Sequence, residues 1–113
     1  MILKTILIIE DDKDINEMLQ KVLKLNGYNI KSAYSGTEAL LIHNNDIDLI
    51  ILDLMLPGKS GEEIINELKN IKNVPVIVTS AINDIEKKLD LFNLGADDYV
   101  TKPFNNEELL ARI

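Results

Sequence analysis

The chain of 113 residues has no cysteine. That excludes a disulfide framework and any thiolate-held metal. Positive charge is in deficit: twelve Lys and Arg stand against nineteen Asp and Glu, for a net charge of -7. A surplus of acid argues against gripping nucleic acid through phosphate neutralisation. No apolar run approaches the ~20 residues a spanning helix needs. The opening Met1-Ile2-Leu3-Lys4 runs into a short strand rather than a signal-peptide core, and the expected setting is the cytoplasm, with no membrane partner. Neither G-x-G-x-x-G nor G-x-x-x-x-G-K-[ST] follows the first strand, so the usual nucleotide cradles are missing. No linker, low-complexity segment or internal repeat divides the sequence.

What is present is an alternation of two periods. Ile6-Leu7-Ile8-Ile9 is an apolar run ending in Glu10-Asp11-Asp12. Ile15, Met18, Leu19, Val22 and Leu23 then recur at helical spacing, closed by Asn26-Gly27. Strands are predicted over Tyr28–Ala33, Asp48–Asp53, Val74–Ser80 and Asp98–Thr101. Ser35 with Glu38, and Ser60 with Glu63, have capping-box spacing before helices. The first of these carries Leu40 and Leu41, with His43 on a solvated face and without a role. Leu56-Pro57-Gly58-Lys59 reads as a turn. Asn83 with Glu86 opens a further helix ended by Gly95, and Asn105 with Glu108 opens the last, about eight residues long. Strands apolar on both faces, joined by helices, predict an α/β fold: a five-stranded parallel sheet with helices on both faces. Right-handed crossovers are expected to place the helices alternately front and back.

In such a sheet the polar strand ends meet at one rim. Asp53 closes Leu49-Ile50-Ile51-Leu52, Thr79-Ser80 closes the fourth strand, and Thr101-Lys102-Pro103 closes the fifth. Three adjacent acids after the first strand repel a bare phosphate and suit a hard cation held by oxygen ligands. Mg²⁺ makes such a site attractive to a phosphoryl group. A carboxylate beside it can be the nucleophile, with Lys102 and Ser80 placed to meet phosphoryl oxygens. Each residue also has a plainer use. Asp53 could end a turn, Asp12 or Asp14 could favour the positive end of the next helix, and Met55 could fill the core. Only their joint occurrence weighs against those uses.

Ile8-Ile9-Glu10-Asp11-Asp12, Asp53-Leu54-Met55-Leu56-Pro57-Gly58, Thr79-Ser80-Ala81, Gly95-Ala96-Asp97-Asp98-Tyr99 and Thr101-Lys102-Pro103-Phe104 stand in order along the chain. In these motifs the sequence resembles the receiver domain of bacterial two-component response regulators. The fold implied is (βα)5, CheY/flavodoxin-like, over residues 1–113, and Gly95–Phe104 and Glu107–Ile113 resemble the OmpR/PhoB subfamily. The resemblance implies a role for each residue. Asp53 is the phosphoacceptor. Asp11 ligates Mg²⁺ directly, Glu10 through water, Asp53 by its carboxylate, and Met55 by its backbone carbonyl. Ser80 is the switch hydroxyl, Lys102 the phosphoryl-binding amine, and Tyr99 the aromatic that turns inward. Ile82 overhangs the phosphoryl group and slows its hydrolysis.

The resemblance also implies partners. A sensor histidine kinase donates the phosphoryl group. A homodimer forms on the face of the fourth helix, fifth strand and last helix, by ion pairs of Lys88 with Glu108 and Asp98 with Arg112, and with Asp97 as a further candidate. DNA is met only through a C-terminal effector domain that this chain lacks, and the short last helix looks cut off before it. The expected activity is self-phosphorylation and slow self-dephosphorylation, not enzymatic turnover. Two alternatives are a Mg²⁺-dependent phosphatase of the haloacid dehalogenase type and an interaction module that is never phosphorylated. The first places its D-x-D motif after the first strand, whereas Asp53 ends the third. The second usually lacks the acceptor, an acid or the lysine, all of which are present.

Overall fold

The computed structural model describes residues 4–53, 61–80, 95–101 and 105–113. Five parallel strands form one sheet in the order β2-β1-β3-β4-β5. They are β1 (Thr5–Ile9), β2 (Asn29–Ala33), β3 (Leu49–Asp53), β4 (Val76–Ser80) and β5 (Asp98–Thr101), with helices α1 (Lys13–Leu25), α2 (Gly36–Ile42) and α3 (Gly61–Ile71) between them and a last helix at Asn106–Arg112. The predicted α/β class and helices on both faces are what the structure has. The turn at Leu56–Lys59, the Ser60 cap and the helix after Asn83 lie outside the described residues.

Strand alternation sorts the core into two layers. Leu7, Ile9, Ile50, Leu52, Val76 and Val78 face one way and pack with Ala39 of α2 and Ile64, Ile65 and Leu68 of α3. Ile6, Ile8, Ile51, Ile77 and Val100 face the other way, against Leu19 and Leu23 of α1 and Leu109 of the last helix. The helices therefore do not alternate front and back as expected. A right-handed crossover puts its helix on a face set by the direction of travel across the sheet. Only the step from β1 to β2 runs toward the β2 edge, so α1 is separated from α2 and α3.

Local signals explain the element ends. Asp12 caps α1 by accepting from Ile15 N at 3.0 Å. At the other end Gly27 takes φ +89°, its N–H donates to Lys24 O, and Tyr28 N–H donates to Leu23 O. This is a Schellman closure, and it starts β2 at Asn29 rather than Tyr28, because the Tyr28 N–H is already engaged. Ser35 Oγ accepts from Glu38 N at 3.1 Å, and the Glu38 carboxylate reaches back to Tyr34 N. Asn105 caps the last helix through Glu107 N at 2.7 Å, one residue short of the expected Glu108. Val74 and Pro75 precede β4, although Pro75 O still accepts from Ile50 N.

Two expectations on α2 are corrected. His43 is buried, not solvated: it ends the helix and its Nε2 donates to Lys72 O at 3.2 Å. Lys72 Nζ in turn donates to Asn45 O and Ile47 O, so the two residues join the α2–β3 loop to the end of α3. Leu41, counted as apolar lining, is 84% exposed, while Ala39 takes the buried position. Gly36 sits against α3, where a Cβ would overlap the end of the Ile64 side chain and force it to shift.

Candidate metal centre

The C-terminal ends of the strands converge as predicted. Ile9 lies level with Leu52, which sets Glu10 beside Asp53, and Asp53 lies level with Thr79. Ser80 pairs in register with Thr101 of β5. The chain leaves β1 toward one edge and β3 toward the other, so the rim between them is the topological switch point where ligands bind in such sheets.

Glu10, Asp11 and Asp53 each offer a carboxylate oxygen, and these oxygens lie within 4.8 Å of one another. Glu10 is 2% and Asp53 4% exposed, whereas Asp11 is open to solvent. Asp12 is absent from this group because its carboxylate caps α1. Two nearly buried carboxylates so close repel by an amount on the order of 3 kcal/mol at the effective dielectric of protein sites. A cation relieves that repulsion. The donors are all hard oxygens, with no histidine among them, which suits Mg²⁺ and not a soft metal. The residues present fit the ion the sequence implied.

Glu10 is held on all sides. Its N–H donates to Ala33 O at 3.1 Å, its carbonyl accepts from Asn16 Nδ2 at 2.9 Å, and its Oε2 accepts from Asp12 N at 3.2 Å. Sequence reasoning passed over Asn16. Its signal was a polar residue three and seven positions before Leu19 and Leu23, on the stripe that α1 buries.

Ser80 and Thr79 are both buried at the end of β4, and Tyr99 is buried on the layer that holds Val78. The structure thus brings Glu10, Asp11 and Asp53 together at the rim and places Ser80 one residue beyond Thr79, the register partner of Asp53. Met55, Ile82, Lys88 and Lys102 lie outside the described residues.

The acids assigned to a dimer face have partners within the chain. Asp97 Oδ2 accepts from Val76 N at 2.8 Å and from Lys69 Nζ at 3.1 Å. Arg112 Nη1 donates to both Asp98 oxygens, at 2.8 and 3.0 Å, and its Nε lies 3.6 Å from Glu108. Hydrogen bonding to Asp98 first, and that carboxylate's charge second, raise the Arg112 pKa above its ordinary value. A raised cation keeps its pairing at every pH below its ordinary, strongly alkaline pKa and loses it only above, so the arginine side of this pair does not titrate near neutrality.

Asp97 also has a counterpart that sequence reasoning missed. Asp48 N–H donates to Thr5 O while Asp48 Oδ2 accepts from Thr5 N at 2.8 Å. Asp97 N–H and Oδ2 do the same to Val76. Each acid precedes a strand and fastens the first residue of the neighbouring one.

Among the described residues no helix is long and apolar enough to cross a membrane. The profile of the family described as "Response regulator receiver domain" matches residues 6–113. Solved structures agree. A two-component response regulator from Clostridium difficile is 35% identical over 96% of this chain and 91% of its own, with a TM-score of 0.91. A CheY-like receiver domain protein from Methanospirillum hungatei JF-1 is 29% identical over 98% and 90%, also with 0.91. A response regulator from Chloroflexus aurantiacus J-10-fl is 38% identical over 98% and 94%, with 0.88.

Proposed function

The chain belongs to the response regulator receiver domain family, and on that premise we propose that Asp53 accepts a phosphoryl group from a sensor histidine kinase in a Mg²⁺-dependent step. The observation that carries this reading is the approach of the Glu10, Asp11 and Asp53 carboxylate oxygens to within 4.8 Å at the switch point. An Asp53 oxygen attacks phosphorus while the P–N bond to the kinase imidazole breaks. The imidazole leaves and an acyl phosphate remains. Mg²⁺, when bound, neutralises charge shared by the cluster and the phosphoryl oxygens. Asp11, exposed, would ligate the ion directly and Glu10, buried and clamped, through water, with the Asp53 carboxylate and the Met55 carbonyl completing the set. Lys102 binds the phosphoryl group and the Ser80 hydroxyl donates to one of its oxygens. As Ser80 moves, Tyr99 fills the space behind it.

The output is a changed face around β5 and the last helix that favours a homodimer, and through it transcription by a DNA-binding effector domain, in the cytoplasm. Dimer contacts through Asp98 and Arg112 exchange a pair already made inside the chain for one made across it. Exposed pairs contribute little, so this exchange alone makes a weak dimer. Sedimentation with beryllofluoride and Mg²⁺ is expected to show a concentration-dependent dimer, and a monomer throughout the accessible range would contradict it. The domain is a signalling module and not a turnover enzyme, so small phosphate esters should not be consumed catalytically.

The central experiment is incubation with acetyl phosphate and Mg²⁺ followed by intact mass spectrometry. The native chain should gain the mass of one phosphoryl group, and Asp53→Asn should gain none. No added mass on the native chain would favour an unphosphorylated interaction module instead.

A further inference from the structure

Glu10 is the first residue beyond β1, and the ladder to β2 ends one residue earlier, at Ile9 and Ala33. Its carbonyl lies beyond that ladder. Asn16 meets it there from α1. Its Nδ2 donates to Glu10 O at 2.9 Å and also reaches Ala33 O at 3.3 Å, bridging the ends of two strands. Its Oδ1 accepts from Gln20 Nε2 at 2.8 Å and from Ser32 Oγ. Gln20 Nε2 is also 3.3 Å from Ser32 Oγ, which closes the network. With two donors on the oxygen, the amide has only one orientation that satisfies both ends.

Asn16 is 0% exposed and shares its stripe with Leu19 and Leu23. A leucine would fill such a position at no desolvation cost, whereas a buried amide is tolerated only when its groups are bonded. The geometry points to Asn16 as a positioning residue for the metal acids. By holding the Glu10 carbonyl it fixes the peptide that joins Glu10 to Asp11, and with it the approach of both carboxylates to Asp53. This inference rests on the Mg²⁺-dependent reading above.

The test compares Mg²⁺ dissociation constants, by titration calorimetry, for the native chain, Asn16→Leu and a control, Gly27→Ala. The control strains the far end of α1, where φ is +89°, and so lowers stability without touching the rim. Circular dichroism fixes a temperature at which all are folded. Asn16→Leu is expected to weaken Mg²⁺ binding about tenfold, the lower end for residues that orient metal ligands, while the control stays within about twofold of native. A merely structural asparagine would lower the melting temperature and leave the Mg²⁺ affinity unchanged, and that result overturns the inference. If Asn16→Leu does not fold, the double variant Gln20→Leu/Ser32→Ala keeps Asn16 and removes both donors that orient it. Weaker Mg²⁺ binding in that variant supports the inference, and native affinity overturns it. A native chain that binds no Mg²⁺ removes the proposed function itself, and the positioning role with it. Native binding that survives every substitution removes the positioning role alone.

Discussion

Asp97 and Asp98 are neighbours in the chain and do different things. Asp97 serves as a strand fastener, giving the Val76 N–H a partner and gathering Lys69. Asp98 pairs with Arg112, and its Oδ1 also accepts from Tyr99 N at 2.8 Å. Replacing Asp97 with alanine leaves a part-buried N–H without its acceptor, at a cost of about 1 to 2 kcal/mol. Replacing Asp98 removes an exposed pair, at under about 1 kcal/mol, and takes an acceptor from the part-buried Tyr99 N–H as well. Thermal denaturation should therefore place both Asp97→Ala and Asp98→Ala below the native chain. An Asp97→Ala melting temperature equal to native would show that the fastening at Val76 contributes nothing. The resemblance implied the same dimer face for both acids, and it carries no information on their partners within the chain. Lys69 and Val76 lie more than twenty positions away from Asp97. Glu10, Asp11 and Asp53 were legible for the opposite reason. Each ends an apolar run or follows one directly, so a parallel sheet had to deliver them to one rim. His43 was misplaced because its burial depends on the carbonyl of Lys72, which no periodicity within α2 reports.

At the scale of elements, the strands and most helix ends follow from short-range chemistry. Apolar runs set the strands, and Asp12, Ser35, Gly27 and Asn105 set the caps. Which face a helix covers does not follow from such signals. It depends on strand order, and strand order is fixed by which apolar faces fit together over long range. The contact of α2 with α3 belongs to this long-range class. Gly36 starts α2 against Ile64, with no room for a methyl group. Gly36→Ala gains helix propensity in the first turn of α2 but overpacks this contact, and overpacking typically costs about 1 to 3 kcal/mol. The variant is expected to need less urea for half-unfolding than the native chain. A paired Gly36→Ala/Ile64→Val change, which trims the opposing side chain, should recover part of the loss. A midpoint at or above native in the single variant would mean that the helices separate without penalty.

Over the whole molecule the net charge is -7, and part of that surplus is concentrated where Glu10 and Asp53 are nearly buried and close. With the site empty, this repulsion opposes folding, because the unfolded chain lets the carboxylates separate into water. Two changes relieve it: removing one charge, or adding the cation. Asp53→Asn does the first, and in a chelator it should melt at a higher temperature than the native chain, by an amount corresponding to about 1 to 3 kcal/mol. Mg²⁺ does the second. It stabilises whichever form binds it by RT ln(1 + [L]/Kd), or about 2.7 kcal/mol at a hundredfold excess over Kd. The native chain keeps all three carboxylates and binds the ion more tightly, so it gains more. The two melting temperatures should converge as Mg²⁺ rises, and calorimetric scans across a Mg²⁺ series would follow this directly. If Asp53→Asn melts lower than native in chelator, the contacts Asp53 makes within the fold outweigh the repulsion. If both chains gain equally from Mg²⁺, Asp53 is not a ligand. Both results together would leave Asp53 as a structural carboxylate, so the series separates a fold that tolerates its acids from one that keeps them, at a cost in stability, to bind an ion.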